Sequence, residues 1–537
     1  MDQPPMPYAT PPRRVCFIDN GLPPKVAWVC IVTMSAVCFL ALFGHFAVAV
    51  AVKDDIRSPA VAGRFYPENP DKLRAAIQLF LADAVPPESE PPIAIVSPHA
   101  GYIFSGQIMA DAFAQAKGHA YDLIVILGVN HSRSGFGGVS VFAAGGFQTP
   151  LGIAAIDSEA ARRLMERFPE ALFDKPVHQN EHSIEVLVPF VQVLFPDTPI
   201  LPVIVSLRDD KACTRFGEAL AQSLVHKNPL IVASSDLSHY PKYGDASRVD
   251  RNTLQAMASL DIRRFQQVVR NQESLSLLGL STCACGDRPV AAAMAAAKVL
   301  GASSGRIVSY ANSGESLGGK RDQVVGYGAV GFYRHPTKIS GNPFPEPPAD
   351  MNPAPLLTSQ QQVLLQFARK TLIQYLKTET IPLPRFPDPL LYARQGAFVT
   401  LKRHGELRGC IGHMENDLPL GQVVGHMALQ AAFNDRRFSP LKFAELDAVE
   451  IEVSVLTPFQ RIDTPGRIII GRDGVMLQKA GRSAVFLPQV APEQGWGLDD
   501  MLAQLSLKAG LSPSAWKEGA SLYIFQAQVF SESSPRP

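Results

Sequence analysis

The chain has 537 residues, which is too long for one ordinary hydrophobic core, so two or three domains are expected. Its 46% hydrophobic and 18% charged residues indicate a globular protein and exclude a disordered one. A net charge of +1 gives no reason to expect nucleic acid as a partner, and seven cysteines are too few for a disulfide framework.

The N-terminal region combines a tail, residues 1–25, with an uncharged apolar segment, residues 26–52. The proline-rich tail is predicted to be disordered. The apolar segment is long enough to cross a bilayer and is predicted to be a single transmembrane helix. A cleaved signal peptide is the alternative, because Ala47–Ala49 resembles a cleavage site. The same number of positive charges lies close to the segment on each side. The positive-inside rule therefore does not decide on which side of the membrane the domains lie.

Residues 53–335 alternate apolar strands with helical stretches, which predicts an α/β domain. Three predicted strands are each followed by polar residues suited to a site. Because ligands of open α/β sheets lie beyond the carboxyl ends of the strands, these residues predict a shared pocket. The strands and the residues after them are Ile93–Ser97 with His99, Leu123–Leu127 with His131, and Leu230–Ala233 with Asp236 and His239.

Cys285 precedes a predicted helix over Val290–Leu300, with Pro289 placed for its first turn. A thiol ahead of a helix N-terminus is expected to lose its proton more easily. Two imidazoles and one thiolate suit zinc, iron or copper better than magnesium or calcium.

Each of these histidines has a purely structural alternative, as a core side chain satisfied by backbone carbonyls. The number of polar residues in the pattern favours a shared site instead. His182 or His239 is predicted to act as an acid or base or to orient oxygen. Glu181 and Glu185 are predicted to orient neighbouring groups, with pairing inside the fold as an equal alternative for Glu185.

Residues 336–357 are rich in proline and are predicted to form a stiff linker. Residues 358–537 follow as a second, smaller α+β domain, which begins with a helix over Ser359–Thr378. Its sharpest motif, Leu407–Gly412, contains Arg408 and Cys410 and precedes His413. These three residues are a possible second site with a reactive thiol. The favoured alternative is structural, with the glycines shaping the backbone and Cys410 buried.

The first domain resembles the Memo family from about Ile56 to His335. Six motifs occur in the family's order: Ser58–Pro67, Pro98–Tyr102, Gly128–Ser132, Glu181–Glu185, Ser234–His239 and Cys285–Gly286. The resemblance implies a fold like that of class III extradiol dioxygenases. It also implies a metal held by His99, His131 and Cys285, with Asp236 and His239 beside it. Ser238 departs from the pattern, since some relatives carry cysteine there.

The second domain resembles the AMMECR-type domain from about Thr358 to Glu532. Its motifs are Leu407–Gly412, Ala431–Leu441, Ile451–Leu456 and Phe486–Gln489. Both domain types occur in the AmmeMemoRadiSam system, which implies a radical-SAM enzyme as partner. This chain lacks the CxxxCxxC signature of an iron–sulfur cluster, so that enzyme would be a separate protein.

Together these patterns predict a metal-dependent oxidoreductase, or the metal-bearing subunit of one, acting on a small or peptidic substrate. Iron or copper is the expected cofactor, with zinc as a further candidate. The expected catalytic residues are Asp236, His239, His182 and Glu181. The alternative is a non-catalytic scaffold that presents a ligand to the radical-SAM partner. The apolar segment predicts a single-pass membrane location.

Overall fold

The computed structural model describes residues 55–143, 145–275, 277–335 and 355–532. The predicted N-terminal tail and most of the predicted linker lie outside these ranges.

The predicted transmembrane helix, and the membrane location that rested on it, are corrected by the structure. Across the described ranges, no helix is both long and apolar enough to cross a bilayer. Residues 26–52 themselves lie outside the described part of the chain. The prediction rested on the length of the segment and its lack of charge, which permit a spanning helix but are not sufficient for one.

The first half of the described chain contains eleven strands and ten helices. The strands are β1 (Ile56–Arg57), β2 (Ala94–Ser97), β3 (Leu123–Gly128), β4 (Val139–Val141), β5 (Gly146–Thr149), β6 (Gly152–Ala155), β7 (Ala171–Leu172), β8 (Ile200–Val205), β9 (Pro229–Ser234), β10 (Ser304–Asn312) and β11 (Gly326–Tyr333). The helices are α1 (Pro70–Ala82), α2 (Tyr102–Ala114), α3 (Ser158–Arg167), α4 (Lys175–Gln179), α5 (His182–Glu185), α6 (Val188–Leu194), α7 (Asp210–Ser223), α8 (Tyr243–Ala258), α9 (Ile262–Ser274) and α10 (Asp287–Val299).

Eight of these strands form one sheet in the order β10-β11-β2-β9-β3-β8-β4-β7. Its centre, β2-β9-β3-β8, is parallel, while β10 and β11 add antiparallel strands at one side. Successive residues of β3 point alternately into two hydrophobic cores, Leu123 and Val125 into one and Ile124 and Ile126 into the other. The sheet is therefore buried on both faces, which explains its continuous apolar strands. Strands β1, β5 and β6 form a separate small sheet.

The second half is built from four helices and two antiparallel sheets. The helices are α11 (Thr358–Thr378), α12 (Leu420–Phe433), α13 (Val490–Gln494) and α14 (Leu498–Lys508). The strands are β12 (Ala397–Arg403), β13 (Glu406–His413), β14 (Val449–Leu456), β15 (Gln460–Ile462), β16 (Gly474–Lys479), β17 (Arg482–Phe486), β18 (Ser521–Phe525) and β19 (Ala527–Ser531). The sheets run β13-β12-β14-β19 and β15-β18-β16-β17, and each packs on its own core. This mixed architecture agrees with the α+β prediction.

Side chains connect the two halves within the compact unit that Val52–Pro537 forms. The Arg385 guanidinium pairs with the Asp111 carboxylate, its Nη1 donating to Oδ1 over 2.9 Å. The Gln422 amide donates to the carbonyl oxygens of Gly314 and Ser316, both over 2.9 Å. These contacts hold α2 and the Ser313–Glu315 turn of the first half against the second half.

Candidate metal centre

Three neighbouring strands deliver the candidate ligands to one edge of the sheet. β9 pairs in parallel with β2 on one side and with β3 on the other. His99 follows β2, His131 follows β3, and Asp236 follows β9. Because parallel strands end at the same edge, these side chains lie close together, with the His99 and His131 ring centroids 5.1 Å apart and His99 Nε2 3.9 Å from Asp236 Oδ2.

The hydrogen bonds of His99 fix which of its ring nitrogens faces the pocket. The Ser234 hydroxyl donates to the Ser183 carbonyl oxygen over 2.6 Å, so it can only accept from His99 Nδ1, which lies 2.8 Å away. His99 Nε2 is therefore the ring nitrogen that carries the lone pair. Burial, followed by the charges of neighbouring histidines, lowers the pKa of His99 well below its usual value, which keeps the ring neutral.

His131 is held in the same way by a carboxylate. Its Nδ1 lies 2.9 Å from Glu181 Oε1, and its backbone N–H donates to Glu181 Oε2 over 2.5 Å. Burial alone would raise the pKa of Glu181, but these hydrogen bonds and one from the Ser183 N–H lower it to about 2. The ionised carboxylate accepts the Nδ1 proton and leaves His131 Nε2 free, an arrangement typical of metal-binding histidines.

His182 completes a cluster of three imidazoles. The ligand atoms of His99, His131 and His182 all lie within 4.8 Å of one another. The rings of His131 and His182 stack with centroids 4.7 Å apart. Burial is the largest cause that lowers the pKa of His182, so this ring also favours its neutral form. His182 was expected as an acid or base, and its position fits a ligand as well.

Cys285 reaches this cluster from the start of α10. Its Sγ lies 3.3 Å from His99 Nε2. A Cβ on Gly286 would lie only 2.2 Å from the Ser234 carbonyl oxygen, so glycine permits the close approach of α10 to β9. Burial, and then the charge of Asp236, raise the pKa of the Cys285 thiol well above its usual value. This is opposite to the shift expected from the helix N-terminus, because desolvation outweighs the helix field.

Asp236 and His239 border the cluster. Asp236 Oδ1 accepts the His99 backbone N–H over 2.8 Å, and burial raises the pKa of this carboxyl to about 7. Burial lowers the pKa of His239 to about 4. His239 Nε2 is buried with no hydrogen-bond partner among the residues that the structure describes. A buried polar atom of this kind is a candidate for a bond to a ligand.

Glu185 lies beside the cluster, but its carboxylate forms an ion pair and hydrogen bonds that stabilise the fold. It pairs with the buried Arg57 guanidinium and accepts the Tyr66 hydroxyl over 2.6 Å and the Val61 N–H over 3.0 Å. Arg57 also donates to the Glu181 carbonyl oxygen over 2.7 Å. This pair anchors the first strand to the segment that carries Glu181 and His182.

The donor set fits a borderline transition metal. Three imidazoles lie together, two of them with Nδ1 held by Ser234 or Glu181, and one sulfur contacts His99 Nε2, without a cage of carboxylates around them. Such nitrogen and sulfur donors suit zinc, iron or copper, whereas magnesium and calcium prefer oxygen.

The possible second site consists of residues with separate partners. The Arg408 guanidinium pairs with Glu445 over 3.1 Å, and His413 Nε2 lies 2.6 Å from Asp417 Oδ1. The Thr400 hydroxyl donates to Cys410 Sγ over 3.3 Å. Gly409 permits β13 to approach α12, since a Cβ there would lie 2.2 Å from the Ala431 carbonyl oxygen. The geometry accounts for Gly409 structurally and does not join Arg408, Cys410 and His413 through a shared contact.

The sequence interpretation missed the residues that orient the histidines. Ser234 and Ser183 set the His99 tautomer, and Arg57 supports the Glu181 segment. Ser234 is the last residue of β9, so the strand-end argument that found Asp236 could have included it. Nothing local in the sequence indicates the pairing of Arg57 with Glu185.

Comparisons with known proteins agree with these two halves. The family model described as Memo-like protein matches residues 57–331, and the AMMECR1 model matches residues 365–530. A MEMO1 family protein of Methanopyrus kandleri is 34% identical over 290 residues, covering 52% of this chain and 99% of its own. A MEMO1 family protein of Aquifex aeolicus is 35% identical over 275 residues, covering 51% of this chain and 97% of its own.

A crystal structure of an uncharacterized protein from Pyrococcus horikoshii is also similar, at 39% identity. It covers 32% of this chain and 92% of its own, with a TM-score of 0.32. Because the Memo-like model spans half of the sequence and the relatives align over nearly their whole length, the chain belongs to the Memo-like protein family and carries an AMMECR1 domain after it.

Proposed function

We propose that the Memo-like domain binds a transition metal through His99, His131 and Cys285. The observation that carries this proposal is the fixed orientation of the two histidines. Ser234 and Glu181 each occupy an Nδ1, so both Nε2 lone pairs are left for a ligand. His182 is the second candidate for the third ligand, because its ligand atom lies within 4.8 Å of both other histidines.

We further propose that the domain is a metal-dependent oxidoreductase, or the metal-bearing subunit of one, with iron or copper as cofactor. When bound, either metal supplies one-electron redox chemistry, and zinc in its place would supply Lewis acidity. His239 and Asp236 are placed to exchange protons with a small or peptidic substrate. The lowered pKa of His239 keeps it neutral and makes it a weak proton acceptor, whereas Asp236, with a pKa of about 7, can readily hold or release a proton.

A scaffold that presents a ligand to a radical-SAM partner is the second candidate. The presence of a Memo-like and an AMMECR1 domain in one chain favours it, because a fused pair suits the joining of two components.

Metal analysis of protein purified without oxygen tests the metal proposal. The Cys285→Ala variant should lose most of its bound metal. Cys283→Ala is the matched control, since Cys283 is fully buried two residues away and should not affect metal content. If Cys285→Ala retained its metal fully and His182→Ala lost it, His182 would be the third ligand in place of Cys285. Metal retention in both His99→Ala and His131→Ala would contradict the centre.

Turnover of the metal-loaded protein with oxygen or thiols distinguishes the two functions. Metal-dependent turnover supports the oxidoreductase. Tight binding of a radical-SAM partner by protein freed of metal, without turnover in either form, supports the scaffold.

A further inference from the structure

A cavity of about 210 Å³ lies where the two halves of Val52–Pro537 meet. The first half contributes Tyr243, Ser309 and Arg321 to its wall, and the second half contributes Leu383 and Phe386. A water molecule takes up roughly 30 Å³ in the liquid, so the space exceeds what one or two waters fill.

Two residues that line this cavity, Arg321 and Ser309, each carry a buried polar atom with unused hydrogen-bonding capacity. Arg321 Nε and Ser309 Oγ are buried without a hydrogen-bond partner within the described ranges. Ser309 is only 5% exposed. Leaving a buried donor unpaired costs free energy, and such atoms in native proteins commonly bind a ligand or water.

Two arginines line the cavity, and within the described ranges only Arg385 has a carboxylate in contact. Arg385 is neutralised by its ion pair with Asp111. The Glu315 carboxyl accepts a hydrogen bond from the Tyr243 hydroxyl over 3.1 Å. Burial raises the pKa of this carboxyl to about 7, so it is protonated and uncharged in a fraction of the molecules at neutral pH. Among the residues that the structure describes, Arg321 makes only long hydrogen bonds of 3.4 Å, to the Asp417 carbonyl and the Gln422 amide oxygen.

The rest of the wall is apolar and aromatic. Val308 and Leu383 supply aliphatic surface, and the rings of Phe386 and Tyr392 lie 5.7 Å apart. The Arg321 guanidinium sits over the Tyr243 ring at 4.2 Å from its centroid. A ligand here would meet a cation at one end and a flat hydrophobic surface at the other.

From this geometry we infer that the cavity is a binding site for a small carboxylate with a flat apolar body. Its carboxylate would accept hydrogen bonds from the Arg321 guanidinium and the Ser309 hydroxyl, and its ring would pack against Leu383 and Phe386. The site is separate from the metal centre and goes beyond the function proposed above.

Calorimetric titration of the full-length chain with benzoate tests this inference. Benzoate should bind at one saturable site, while benzamide and acetate, which lack the charge or the ring, should bind far more weakly. Arg321→Gln should weaken benzoate binding by about tenfold or more, the loss expected for a hydrogen bond to a charged group. Arg263→Gln, at an exposed arginine on α9, is the matched control and should bind like the original protein.

Two further variants keep the result decisive. Ser309→Ala removes a hydroxyl without an observed partner, so it should fold normally and still bind benzoate less tightly. His131→Ala should retain benzoate binding, which separates this site from the metal centre. Absence of saturable benzoate binding, equal binding of benzamide, or undiminished binding by both Arg321→Gln and Ser309→Ala would overturn the inference.

Discussion

Ser234 determines which nitrogen of His99 faces the proposed metal centre, through a hydrogen bond to Nδ1. In Ser234→Ala this bond is lost, so the ring can adopt the other tautomer and direct an N–H at the pocket. We expect metal affinity to fall by about tenfold or more, as for other groups that orient metal-binding histidines. Competition with a chelator of known affinity measures the change.

Ser223→Ala is the matched control for Ser234→Ala. Ser223 is also buried, but its hydroxyl bonds to the Leu220 carbonyl oxygen on α7. Its metal affinity should remain that of the original protein. Equal affinities in both variants would show that Ser234 does not set the tautomer.

Glu185 compensates the buried charge of Arg57, which is 3% exposed. Glu185→Gln keeps the shape of the side chain but leaves the guanidinium without its counter-charge. We expect the free energy of unfolding to fall by about 3 kcal/mol, the cost of breaking a buried ion pair on one side. Urea denaturation measures it, and Glu218→Gln at an exposed position on α7 should change little. An unchanged midpoint in Glu185→Gln would refute this role.

At the scale of elements, the close packing of β13 on α12 depends on Gly409. An added Cβ would lie 2.2 Å from the Ala431 carbonyl oxygen, a backbone atom that cannot rotate away. We expect Gly409→Ala to destabilise the AMMECR1 domain by about 2 kcal/mol, in the range of overpacked cores. Thermal unfolding of this variant should show the loss.

Gly466→Ala provides the matched comparison for Gly409→Ala, because a Cβ at Gly466 meets nothing within 4 Å. It should leave the melting temperature nearly unchanged. Equal melting temperatures in the two variants would contradict the packing argument and reopen a chemical role for the motif around Cys410.

At the scale of the whole molecule, we propose that residues 336–357 connect two separately folding domains. Proline-rich segments with few apolar anchors are preferred sites of protease attack. Limited proteolysis should release folded fragments of about 53–340 and 355–537. Because Arg385 pairs with Asp111 and Gln422 bonds to the Ser313–Glu315 turn and Ser316, we expect the fragments to co-elute at low salt.

High salt weakens the exposed ion pairs between the halves, Lys72–Glu379 and Lys370–Asp83, more than the buried Arg385–Asp111 pair, and should help to separate the fragments. The identity and folding of each fragment can be checked by mass spectrometry and circular dichroism. Resistance of the linker to cleavage, or unfolding of either fragment once it is separated, would contradict the domain boundary.

The elements that frame the candidate metal centre were predictable because their signals are local. The predicted strand Leu123–Leu127 is observed as β3 (Leu123–Gly128), and the predicted helix Val290–Leu300 is observed as α10 (Asp287–Val299), which starts three residues earlier and ends one residue earlier. Apolar runs between turn residues encode such elements directly. The convergence of His99, His131 and Asp236 followed from strand ends alone, since the parallel pairing of β2, β9 and β3 brings those ends together.

The sequence by itself therefore determined the family, the α/β framework and the edge at which the polar residues gather. Only the tertiary structure decided the pKa values and the ion-pair partners of the residues in and beside the site. The Cys285 pKa is raised because burial outweighs the helix field, and Glu185 pairs with Arg57 from 128 positions away in the chain. Desolvation and long-range pairing depend on which segments pack together, and neither leaves a pattern in neighbouring residues.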